Sequence, residues 1–116
     1  MFISVLARRL RPGKTHDDFV RAWYPDKGFD VPMRGPILAR NLDDDREILA
    51  IGFLDIGDRD ELGDGLARVA AQESARHDHI DDVIESTTLR GIYEVTDEFD
   101  FSTDDSVARD RPEGLQ

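Results

Sequence analysis

Phe2, Ile3, Val5 and Leu6 are strand-forming residues leading up to Pro12-Gly13, so the chain opens on a strand over 2–10. Its two faces, Phe2-Ser4-Leu6 and Ile3-Val5-Ala7, are both largely apolar, which a sheet wetted on one side does not require. Thr15 followed by Asp18 is a capping-box signal, and Asp17 with Asp18 suits the positive end of a helix. Phe19, Val20 and Trp23 continue at helical spacing until Pro25 stops the helix. Residues 25–36 carry Pro25, Gly28, Pro32, Gly35 and Pro36 and read as a loop. Its Phe29, Val31 and Met33 exceed what a solvated connector needs, so the loop is expected to fold back over the body. Strands are predicted at 37–42 and 48–56, joined as a hairpin by the charged turn Asp43-Asp44-Asp45-Arg46. The latter strand has apolar faces on both sides, Ile48-Ala50-Leu54-Ile56 and Leu49-Ile51-Phe53. Leu62, Leu66, Val69, Ile80 and Ile84 then recur in three- and four-residue steps, predicting a long helix over 58–84 with room for a kink near Ser74 or His77. A last strand is expected at 89–95.

The order β-α-β-β-α-β is the split plan of the ferredoxin-like α+β fold, a four-stranded antiparallel sheet with two helices on one face. The other face is left bare, carrying residues such as Phe2, Leu6 or Ile51 and Phe53. Apolar surface is worth about 25 cal/mol per Å² when removed from water, and left exposed it invites aggregation. A second copy packed sheet to sheet about a two-fold axis is the simplest cover, so a homodimer, a dimeric α/β barrel, is expected. The folded domain is placed at 1–101. From Ser102 the chain turns polar, and 102–116 is read as an acidic, mobile tail.

Charge narrows the functional classes. The chain has 26 acidic and 15 basic side chains, a formal charge of −11. Such a surface repels phosphate backbones and anionic lipid, which argues against nucleic-acid and membrane partners. There is no cysteine, hence no disulfide, thiol catalysis or thiolate metal site. No apolar run approaches the roughly 18 residues of a membrane span. The first apolar stretch precedes Arg8, Arg9 and Arg11, the reverse of a secretory leader's order, so a cytoplasmic location is expected. No P-loop, Rossmann glycine pattern, HExxH or GxSxG is present, and neither a cofactor nor a resident metal is expected.

The run Arg8-Arg9-Leu10-Arg11-Pro12-Gly13-Lys14-Thr15, leading into Asp18-Phe19-Val20-Arg21-Ala22-Trp23, resembles the opening of EthD-like proteins. There too a basic strand end and Pro-Gly precede an acidic-aromatic helix with a Trp. The whole plan resembles the dimeric α/β-barrel superfamily, which includes antibiotic-biosynthesis monooxygenases, haem-degrading monooxygenases and stress-responsive A/B-barrel proteins. EthD-like chains usually place a His four residues after that Trp, where this chain has Lys27. Haem-degrading members use an Asn in the first strand and a Trp and a His on the second helix; only His77 has a counterpart here. The resemblance implies a small-molecule-binding dimer with a cleft between the sheet and the second helix. An enzyme resembling the cofactor-independent monooxygenases or EthD-like proteins, acting on a hydrophobic or aromatic compound, is one expectation. A non-catalytic binding or assembly module, its cleft filled by core side chains, is the alternative, and haem binding through His77 is a weaker one.

Glu73 and His77 project into the middle of the apolar stripe of the second helix and, four apart, can touch. A carboxylate facing a sheet must be paired, protonated or turned to a polar cavity. The two are therefore candidates for a base and its orienting partner, with an ordinary ion pair as the competing reading. Asp81 extends them into an i, i+4, i+8 ladder, but one helix rarely supplies a whole metal site. Trp23 and Tyr24 are candidates for an aromatic wall, with Tyr24 or Tyr93 offering a hydroxyl, although Trp23 also suits a core anchor. Asn41 shares a strand face with Ile37 and Ala39 and is a candidate oxyanion donor, or else marks the end of the hairpin.

Overall fold

A computed structural model describes residues 1–115 of the chain; residue 116, the last of the predicted tail, lies outside the described residues. Strand β1 (Phe2–Leu10) is followed by helix α1 (His16–Trp23), the hairpin β2 (Met33–Arg40) and β3 (Glu47–Leu54), helix α2 (Arg59–Asp81), strand β4 (Ile84–Glu94) and a short helix α3 (Asp104–Asp110). The strands form one sheet in the order β2-β3-β1-β4, every neighbouring pair antiparallel. Among the described residues no helix is long and apolar enough to cross a membrane.

Local signals set most of these boundaries. Thr15 caps α1 as the sequence predicts: its hydroxyl accepts from the Asp18 backbone N–H while the Asp18 carboxylate accepts from the Thr15 N–H. Asp58 caps α2 through the Glu61 N–H, 2.8 Å away. Helix α2 runs unbroken through Ser74 and His77 and stops at Asp81, three residues before the expected end. Ile84 belongs instead to β4, and the Arg11 guanidinium spans this joint, donating to the Ile84 carbonyl at 2.9 Å and the Asp81 carbonyl at 3.0 Å. Strand β2 begins at Met33, four residues earlier than expected, and runs through Gly35-Pro36 with a register irregularity between Arg34 and Ile37. Gly35 has φ +79°, which favours glycine, so the bulge keeps the strand paired across a proline that reads as a breaker.

Residues pairing across the sheet sort its two faces. Phe2, Ser4, Leu6 and Arg8 lie opposite Leu54, Gly52, Ala50 and Ile48, and this is the face under the helices. Phe2 and Leu6 are thus on the helix side, a correction to their expected place on the bare face: Phe2 packs with Leu54 and Ile56. Ile51 and Phe53 do face away from the helices, beside Ile3 and Val5 of β1 and Ile37 of β2. Under the helices the core divides in two. Leu10, Phe19, Ile48, Ile80, Val83 and Ile84 fill one end, and Phe2, Leu54 and Ile56 the other.

The segment read as a tail contains α3, capped by Thr103 and Ser106. Phe99 and Phe101 stack at 5.8 Å and gather with Val107 and Leu115 rather than with the sheet. The radius of gyration, 17.4 Å, exceeds the roughly 13 Å of a compact chain of this size.

Candidate functional site

The space between the two core clusters is hollow. Ser4, Ala50 and Gly52, at the centres of β1 and β3, form its floor, and no large side chain rises from them. A Cβ on Gly52 would find its nearest neighbours at 3.7 and 3.9 Å, from Met33 and Ser4. Helix α2 supplies the roof through Leu62, Leu66, Val69, Glu73, Arg76 and His77. Trp23 closes the α1 end, and Phe29, Val31 and Met33 form a side wall. The cavity measures about 300 Å³, the lower end of the range for small-molecule sites.

The apolar loop does fold back, and α2 holds it there. Gln72 donates to the Lys27 carbonyl at 2.9 Å and Arg68 to the Asp30 carbonyl at 3.4 Å. Gly65 allows the close approach, since a Cβ there would stand 3.1 Å from the Val31 side chain. Arg76 is the central tie. Its Nε and Nη2 donate to the Trp23 carbonyl at 2.9 and 2.6 Å, and its Nη1 to Glu73 at 2.6 Å. The guanidinium also lies 5.5 Å from the Trp23 ring centre and 5.1 Å from that of Phe29.

One end of the cavity is polar. The Glu73 carboxylate accepts from Arg76 and stands 3.6 Å from His77 Nε2, too far for a hydrogen bond but near enough to orient the ring electrostatically. Burial lowers the His77 pKa, helped by the positive charges of Arg90 and Arg8 and opposed by Glu73 and Asp81. These surroundings favour the neutral imidazole, the form able to accept a proton. Glu73 is engaged by Arg76, so the arrangement suits His77 as base and Glu73 as its orienting partner.

No family model and no curated protein sequence matches this chain. A solved structure described as an antibiotic biosynthesis monooxygenase, from Chloroflexus aurantiacus J-10-fl, superposes with a TM-score of 0.55, covering 84% of this chain and 95% of that one. The chain has the ferredoxin-like fold. Identity is 12%, so the likeness concerns the path of the backbone and not the side chains of the site.

Within this ferredoxin-like frame the predicted residues separate. Glu73, His77 and Trp23 come together on the cavity. Tyr24, Asn41 and Tyr93 do not join them. Tyr24 is 70% exposed, because α1 ends at Trp23 and the extended backbone of Tyr24 turns its ring outward. Tyr93 pairs with Ile3 and so lies on the sheet face away from the helices, where strand alternation puts it. Asn41 falls one residue beyond β2; its side chain accepts from the Asp43 N–H at 2.8 Å and shapes the hairpin turn. Among the described residues no group of three or more His, Asp or Glu side chains is placed to hold a metal ion.

Besides Arg76, Arg8 and Arg90 are polar residues that sequence reasoning missed. Arg8 is 4% exposed, and its Nε and Nη1 have no hydrogen-bond partner among the described residues. Arg90 pairs with Leu6 and lines the cavity from β4. The available signal was parity: both arginines share the strand faces that carry Leu6 and Ile92.

Proposed function

We propose that this chain binds a hydrophobic or aromatic small molecule in the cavity under α2 and acts on it by proton transfer, in the manner of a cofactor-independent monooxygenase-like or EthD-like enzyme. The observation carrying this reading is an open cavity, largely apolar, with the His77 imidazole and the Glu73 carboxylate side by side at one end. A phenol or an activated C–H lying in the cavity gives its proton to His77, which Glu73 holds in place. The open space supports this reading over the alternative of a non-catalytic module whose cleft is filled by core side chains. Thermal-shift screening against phenolic and fused-ring aromatic compounds tests the reading. A ligand at about 100 times its Kd stabilises the fold by about 2.7 kcal/mol. Ser4→Phe, which raises a ring from the cavity floor, is expected to abolish that shift while leaving the fold intact. A shift that survives Ser4→Phe places the ligand elsewhere and ends the proposal.

The working unit in this proposal is a homodimer. Ile3, Val5, Ile37, Ile51 and Phe53 form an apolar surface that no helix covers, and Ile37 is half exposed. A second copy laid sheet to sheet supplies the missing layer, which the apolar character of this outer face calls for. Sedimentation equilibrium at micromolar concentration is expected to return twice the chain mass, and Ile51→Lys, at the centre of this face, to return a monomer. A wild-type monomer would remove this part of the reading.

A further inference from the structure

The polar end of the cavity holds more positive charge than its visible contacts use. In a chain of formal charge −11, three guanidinium groups, Arg8, Arg76 and Arg90, lie near two carboxylates, Glu73 and Asp81, and of these Arg76, Arg90 and Glu73 line the cavity. Arg76 is committed to Glu73 and the Trp23 carbonyl. Arg90 lines the cavity and makes no ion pair among the described residues. Arg8 sits beneath, on the same sheet face as Leu6, with two buried nitrogens lacking a partner. A buried guanidinium stays charged, and its burial is costly unless a counter-charge is close.

We infer that the ligand of this cavity is an anion, an apolar or aromatic body carrying one carboxylate or phenolate, whose charged head lies against Arg90 with Arg8 supplying positive charge from behind. This rests on the proposed small-molecule reading and specifies its ligand class. The apolar part of the cavity, Leu6, Val69, Phe29 and Ile92, takes the body of the molecule. The head then lies beside His77, and since it is already ionised, it is an acidic C–H next to it that faces the base. The depressed His77 pKa is in keeping with this, since Arg90 and Arg8 both contribute to it after burial.

The test compares two probes of one shape, 2-naphthoate and 2-naphthamide, by calorimetric titration at 0.15 M salt. The wild type is expected to bind the carboxylate about tenfold or more tightly than the amide, the range for a charge-assisted contact. Arg90→Gln, on an exposed edge strand, is expected to bring the ratio close to one by weakening the carboxylate alone. Arg8→Met is expected to lower the ratio in the same direction while the amide still binds. Equal wild-type affinity for the two probes overturns the anion inference and leaves the cavity reading standing, whereas failure of both to bind overturns the two together. A ratio unchanged in Arg90→Gln also overturns the assignment.

Discussion

Replacing Phe19 by alanine is expected to cost about 3–5 kcal/mol, the range for deleting a fully buried aromatic side chain. Phe19 is 1% exposed and packs in the cluster of Leu10, Ile48, Ile80, Val83 and Ile84. Its ring stacks on Trp23 with centres 6.2 Å apart, and Trp23 in turn closes one end of the cavity. The loss therefore reaches the site as well as the core. Helix α1 is only eight residues long and owes its place to tertiary packing rather than to its own helical tendency. A domain of this size has about 5–15 kcal/mol in total. Urea denaturation of Phe19→Ala is expected to show a large fall in midpoint, and a loss below about 1 kcal/mol would mean that α1 is not anchored as described.

Arg76→Met should be nearly as damaging, for a different reason. The long apolar stem is retained, but the Trp23 carbonyl loses both donors and Glu73 loses its hydrogen-bonded cation. The Arg76 side chain is 13% exposed, so water replaces these bonds poorly. Removing one partner of such a network costs about 2–4 kcal/mol. The stacking of the guanidinium on Trp23 and Phe29 goes with it, and the loop over 25–32 loses its central clamp. Hydrogen exchange is expected to accelerate selectively in that loop and at the end of α1. Unchanged exchange there would show that Gln72, Arg68 and apolar packing suffice to hold the wall of the cavity.

Both residues show where a linear reading stops. Phe19 and Trp23 are visible as an apolar helix face because spacing alone places them together. Arg76 has no such signature. A charged residue on a long acidic helix reads as solvated, and only the packing of α1 and the loop against α2 brings the Trp23 carbonyl to it.

The order of elements through β4, the cap at Thr15 and the meeting of Glu73 with His77 all follow from the sequence. Each depends on short-range periodicity or on the stereochemistry of a few adjacent residues, which the chain carries wherever it folds. Tertiary structure alone decided the cavity, because it arises where small residues on two separate strands, Ser4, Ala50 and Gly52, come under a helix that cannot descend to fill the gap. It also decided the fates of Tyr93 and Asn41 and the burial of Arg8. Strand parity becomes an address, inward or outward, only when one face acquires helices, and the chemistry of this site depends on that choice.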